Sequence, residues 1–434
     1  MRARHFSLLI VSALLALATL NTGLVTPAPR PASASTALIT AYVINNGDKT
    51  VTPIDVATNT PGPPIPAGTN PRGVAITPDG KTVYVTNRAD NTVTPIDVAT
   101  NTPGPTIPVG TFPFGVAFTP DGKTAYVVNN NSHNVTPIDV ATSTPGAPIP
   151  VGNDSHAAAV TPDGKTVYVT NSASQSVTPI DVATNTPGPP IPAGNNPQGI
   201  AITPDGKTAY VTNNGNAGSA TVTLIDVATN TRGIQIQVSD RPVGIAITPD
   251  GKTAYVTNER LNVVTPIDIA TNTPRTPIPM GDGALPFAIA ITPDGKTAYC
   301  VNRDNNTVTP IDVATGVPGT PIRVGQRPVG VVFTPGPKGT ATTTTLDVIK
   351  VPLPLGLGGF AIPSAIVAPP NVAGTVQFKD GASDLGRPVR VIGGRAIGSL
   401  AFLNKGTHSL TAVFTPADPV TFTPSTSHAV TVTF

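Results

Sequence analysis

The chain has 434 residues, 12% of them charged, with 51 Pro, 41 Gly, no Trp and a single Cys. Lone Cys300 excludes a disulfide-built scaffold, and the formal charge of +2 gives no electrostatic case for nucleic acid as a partner. Charge at half the roughly 25% usual for soluble domains could mean disorder, but regular β patterning between the Pro and Gly residues argues against it.

At the N-terminus, Arg2, Arg4 and His5 precede an apolar run from Phe6 to Leu20, and Ala32-Ser33-Ala34 supplies small residues for cleavage. Residues 1–34 are therefore expected to be a secretory signal peptide. The run is too short to span a bilayer comfortably, so no membrane span is expected in the mature chain. Loss of Arg2, Arg4 and Arg30 would take the 26 basic side chains to 23, against 24 acidic ones.

From about residue 38 a repeat takes over. TPDGKT starts at Thr77, Thr119, Thr161, Thr203, Thr248 and Thr292, spaced by 42 residues three times, then 45, then 44. A Tyr-x-x-Asn strand begins at Tyr42, Tyr84, Tyr126, Tyr168, Tyr210, Tyr255 and Tyr299, and a V-T-x-I-D strand follows each. A period in the forties with four short strands per copy predicts an all-β, seven-bladed β-propeller over 38–336. Small apolar runs such as Gly73–Thr77 are expected innermost. Proline-rich segments (Pro64, Pro66, Pro148, Pro150) are expected outermost, because Pro cannot donate to a ladder. The repeat begins with a Tyr strand lacking its inner partner and ends with Gly330–Thr334, an inner strand lacking its Tyr strand. These two are expected to pair and close the ring.

The Tyr-Val-Thr-Asn strands at Tyr84, Tyr168, Tyr210 and Tyr255, with ID-x-A-T-N-T and P-x-G-V-A-I-T-P-D-G-K, resemble the YVTN-repeat β-propeller family over about Ala41 to Pro335. The departures are Pro in most V-T-P-I-D strands and Ser155-His156-Ala157 in place of P-x-G. The resemblance implies a surface or secreted protein and no particular activity. After Pro335 the period is lost. GTVQFKDG at Gly374 and GTHSLTAVF at Gly406 resemble bacterial immunoglobulin-like domains. They imply a small immunoglobulin-like β-sandwich over 341–434, serving as spacer or adhesion module. Gly356-Leu357-Gly358-Gly359 lacks a βαβ setting and reads as a connection rather than a nucleotide loop.

Chemistry is sparsely represented. HExxH, CxxC, G-x-S-x-G, Walker and EF-hand spacings are missing, so no catalytic residues and no cofactor are expected. His133 and His156 with Asp154 form the one candidate metal group. TPDGKT and DVATNTPG, on one face of the ring, are nearly constant, whereas the loops of the opposite face differ from copy to copy. A binding site needs unlike groups converging, which places it at the channel mouth of the varied face. Arg72, Phe112, Phe114, Arg241, Phe287 and Arg327 are its candidate anchors, since aromatics and Arg dominate hot spots. The expected protein is a monomeric, secreted or cell-wall-associated binding protein with a protein or carbohydrate partner. The competing expectation is a lactonase-like propeller hydrolase or lyase using Asp, Asn and His groups at the mouth.

Overall fold

The computed structural model describes residues 39–215, 218–336, 342–353, 358–370, 372–417, 422 and 425–434. The expected signal peptide, 1–34, lies outside the described residues. Everything described is strand, turn or loop, and no helix among these residues is long and apolar enough to cross a membrane.

Seven antiparallel sheets form between Thr40 and Phe333, one per repeat. Each begins with a six-residue inner strand such as Pro71–Ile76, followed by the Tyr strand (Thr82–Asn87) and the V-T-x-I-D strand (Thr92–Asp97). Successive inner strands pack side by side around the centre. The ring closes through the two ends of the repeat region. Ala41 pairs with Phe333, Tyr42 with Val332, Val43 with Val331 and Ile44 with Gly330.

Three sequence features explain the uniformity of the blades. In each TPDGKT turn the glycine takes positive φ (73° at Gly80), which costs glycine nothing. There Thr77 Oγ1 donates to Asp79 Oδ1 at 2.6 Å and the Lys81 N–H donates to the same oxygen. The Tyr rings are wholly buried between neighbouring sheets, and most phenols donate to an Asn on the adjacent blade. Tyr42 reaches Asn101 at 2.8 Å and Tyr126 reaches Asn185 at 2.7 Å. The Asn ending each Tyr strand is buried, and in all blades but that of Asn258 its amide donates to a hydroxyl of the next strand, as Asn87 does to Thr92 and Thr94. A buried amide without such partners would be destabilising. Cys300 is fully buried in its strand, as a small hydrophobe.

The outer strand differs from expectation in an instructive way. In five blades it is broken into two-residue pieces, such as Thr60–Pro61 and Ile65–Pro66, instead of one strand. The reason lies in prolines of both the third strand and the outer segment. Pro53 accepts from the Gly62 N–H on its outer side but has no N–H to return there, and Pro63 and Pro64 of the outer segment add no donors of their own. Pairing on the inner side is untouched, with Tyr42 opposite Pro53 in an unbroken six-residue register. Where Leu224 stands in place of that proline and the outer segment has none, one strand runs from Thr231 to Gln237, with a register shift between Thr223 and Ile225.

The C-terminal segment forms two further antiparallel sheets. Thr343–Pro352 and Gly359–Ala368 make a hairpin of ten paired residues, in a stretch that sequence patterning left undefined. Gly374–Asp380 and Thr407–Pro416 centre the second sheet. Ala365 and Val367 of the first sheet pack against Val376, Phe378, Ala412 and Phe414 of the second, giving a sandwich core.

Candidate functional site at the channel mouth

The site is built from three columns of the repeat, each contributing one residue per blade. The first is the second residue of each inner strand, between Pro and Gly in five of the seven: Arg72, Phe114, His156, Gln198, Val243, Phe287 and Val329. A bulge in the inner strand here separates Pro71 from Val74 in the pairing with the Tyr strand. The glycine that follows permits close approach of the next blade, since a Cβ on Gly73 would lie 2.0 Å from the Phe114 carbonyl oxygen. That carbonyl accepts from Thr86 Oγ1 at 2.7 Å, and Thr86 Oγ1 in turn accepts from the Gly73 N–H at 2.8 Å. Thr170, Thr212 and Thr257 hold Gln198, Val243 and Phe287 in the same way. The Thr of the Tyr-Val-Thr-Asn strand thus positions the mouth.

The second column is the residue before the proline. All seven (Asn70, Phe112, Asp154, Asn196, Arg241, Leu285 and Arg327) have left-handed backbone, with φ between 47° and 57°. Asn adopts this at little cost, whereas Phe, Leu and Arg do so less readily. The third column follows the Tyr-strand Asn: Asn46, Arg88, Asn130, Ser172, Asn214, Glu259 and Arg303. Its N–H donates to the second column throughout, as Arg88 does to the Asn70 carbonyl at 3.0 Å. In four blades its side chain also donates to the next interblade loop, as Ser172 Oγ does to the Pro197 carbonyl at 2.8 Å. Arg88, Glu259 and Arg303 break this pattern.

These exceptions meet the aromatic anchors. The Arg72 guanidinium lies 4.5 Å from the Phe114 ring centre and 4.4 Å from that of Phe287, which belongs to a blade on the other side of the closing blade. Arg88 lies over Phe112 at 4.7 Å and Phe114 at 5.5 Å, and Arg303 over Phe287 at 5.4 Å. His156 packs on Phe114 with ring centres 4.4 Å apart. Glu259 pairs with Arg303 at 2.9 Å. Although Arg72 keeps some solvent-accessible surface, protein surrounds its charge. Burial, reinforced by Arg88, Arg303 and Arg327 against the opposing pull of Glu259, lowers its pKa to about 9. Burial likewise lowers His156 to about 4, against the pull of Asp154 and with help from Arg72 and Arg88.

Of the sequence-derived anchors, Arg72, Phe112, Phe114 and Phe287 come together. Arg327 acts on Arg72 only through its charge, and both Arg241 and Arg327 are exposed outside the stack. Arg88, Glu259 and Arg303 escaped the sequence reading, although comparing the seven residues after each Tyr-strand Asn would have singled them out.

His133, Asp154 and His156 are neighbours, but among the described residues no group of three or more His, Cys, Asp or Glu could hold a metal ion. His133 Nδ1 accepts from the Asp154 N–H at 3.4 Å, doing what Asn91, Asn262 and Asn306 do in their blades. Asp154 accepts from Asn130 at 2.6 Å, as Asn70 does from Asn46. Both are thus occupied in the hydrogen-bond pattern of the ring. Only His156 belongs to the mouth.

Three family profiles match parts of the chain: a seven-bladed β-propeller lactonase over residues 35–146, a YNCE-like β-propeller over 106–253, and a bacterial Ig-like domain (group 3) over 350–434. No curated protein matches the chain. Among solved structures, hydrazine synthase of Kuenenia stuttgartiensis is 24% identical with a TM-score of 0.59, covering 67% of this chain and 99% of its own. A functionally unknown protein from Desulfotomaculum acetoxidans is 18% identical with a TM-score of 0.60, covering 68% and 99%. The dihydro-heme d1 dehydrogenase NirN, in complex with DHE, is 16% identical with a TM-score of 0.52, covering 71% and 77%. At these identities the likeness is one of fold alone.

Proposed function

We propose that this chain, a β-propeller of seven blades carrying a bacterial Ig-like domain, is a secreted or cell-surface protein that binds a protein or glycan partner at its channel mouth. The Ig-like domain serves as spacer or adhesion module. One observation carries the reading: unlike groups from four blades (Arg72, Arg88, Phe112, Phe114, His156, Phe287 and Arg303) converge at one end of the channel. The opposite face instead repeats one turn. Aromatic and arginine side chains gathered in a partly desolvated place are what binding hot spots are made of. The test is binding of the full chain to purified wall polysaccharide and peptidoglycan. Alanine at Phe112, Phe114 and Phe287 together is expected to weaken binding at least tenfold, and undiminished binding would remove the site from the mouth.

A second reading, a lactonase-like hydrolase, has its own support in the lactonase profile over 35–146 and in His156. Its ring is uncharged at neutral pH, and its Nδ1 is buried with no hydrogen-bonding partner in the chain. Such an imidazole can accept a proton from an attacking water. Lactone turnover by the purified chain, lost in His156→Gln, would establish this reading, and turnover unaffected by the substitution would dismiss it.

A further inference from the structure

The mouth carries more positive charge than the fold uses. Across it, guanidinium planes and phenyl rings alternate in the order Arg303, Phe287, Arg72, Phe114, Arg88, Phe112. A ring satisfies the flat face of a guanidinium but offers no acceptor to the N–H groups along its edge. The one carboxylate in the stack, Glu259, is taken by Arg303. Among the described residues no acidic side chain pairs with Arg72 or Arg88, and the Nε of each is buried with no hydrogen-bonding partner in the chain. Burying a charged donor in this way is destabilising unless an acceptor arrives. Phe112, 37% exposed, stands at the rim as an apolar flank.

Taking the mouth to be a binding face, as proposed above, we infer that its ligand is a sugar bearing an oxyanion. Arg72 and Arg88 donate to the anion, and Phe112 lies against the sugar ring. The guanidinium edge matches a carboxylate or a phosphate by paired N–H donors, and stacking has already fixed the planes that present it. An anion between the two also relieves the mutual repulsion that, after burial, lowers the proton affinity of Arg72. No covalent step is involved.

The test is isothermal titration of the full chain at low salt and pH 7 with galacturonate, inorganic phosphate and neutral galactose. Galacturonate is expected to bind at least tenfold more tightly than galactose. Phosphate binding alone would identify a phosphorylated sugar instead of a sugar acid, and both results sustain the inference. Arg88→Gln, at the more open end of the stack, is expected to weaken anion binding at least tenfold, and Arg72→Gln to abolish it. Arg260→Gln, at an exposed arginine outside the stack, should leave it unchanged. Should Arg72→Gln fail to fold, Arg88→Gln carries the test on its own. Galactose binding as tightly as galacturonate, or anion binding unchanged in Arg88→Gln, would overturn the inference. If neutral glycans bind and only the phenylalanine variants lose them, the binding reading stands and the oxyanion inference falls.

Discussion

At the scale of single residues, the channel mouth is a place where side chains differ while their backbone does not. Seven left-handed residues precede the inner strands, and the polypeptide places Phe, Leu and Arg where Asn would be easier. Among the described residues the Arg241 side chain makes no hydrogen bond or ion pair that would repay this, so Arg241→Asn is expected to stabilise the protein by about 0.5–1 kcal/mol in chemical denaturation. His156 gives a pH signature. Its folded pKa of about 4 lies below the 6.5 of the free side chain, so the stability linked to its neutral form is complete above about 6.5. That stability is lost as pH falls through 4. His156→Gln should therefore flatten the loss of stability between pH 6.5 and 4 by roughly 2 kcal/mol. A difference under a few tenths would show that the ring is solvated. Arg72 and Phe114 were recognisable from sequence as unlike residues in a like position. Arg88 and Arg303 stand out as unlike residues in the same way, but only folding shows that they stack with Phe112, Phe114 and Phe287.

Among elements, the inner strand and its glycine decide how closely the blades approach. A Cβ at Gly73 would meet the Phe114 carbonyl at 2.0 Å, and that carbonyl is already held by Thr86. Gly73→Ala is expected to destabilise by about 3 kcal/mol or more, read as a lower thermal midpoint, and to perturb the mouth through Phe114. Two blades carry alanine at this position, Ala157 after Ser155-His156 and Ala288 after Pro286-Phe287, so the constraint at Gly73 comes from the closeness of its own neighbour and not from the column. The outer strands carry the complementary lesson. Proline content predicted an outermost strand, and prolines in both that strand and its neighbour accompany its break into short pieces in five blades. Leu224 and the single Thr231–Gln237 strand show the two features travelling together.

For the whole molecule, closure is the decisive event. Pairing of Pro328–Phe333 with Thr40–Asn45 joins strands nearly three hundred residues apart, and Val43 and Val331 sit opposite one another in it. Val332→Pro, opposite Tyr42, removes a backbone donor from that seam and should destabilise by about 3 kcal/mol, measured by thermal unfolding, with loss of ligand binding at the mouth. The period, the turn chemistry and the odd halves at each end determined the number of blades, their order and the closing pair, because these depend on local strand and turn propensities repeated along the chain. Sequence also marked which face would be uniform. Only the tertiary structure decided which varied residues share a site. Phe287 and Arg72 are 215 positions apart and meet because a closed ring brings blades on either side of the seam together across one channel. It also assigned His133 and Asp154 to the scaffold, since their hydrogen-bonding partners lie in neighbouring loops whose proximity no local pattern encodes.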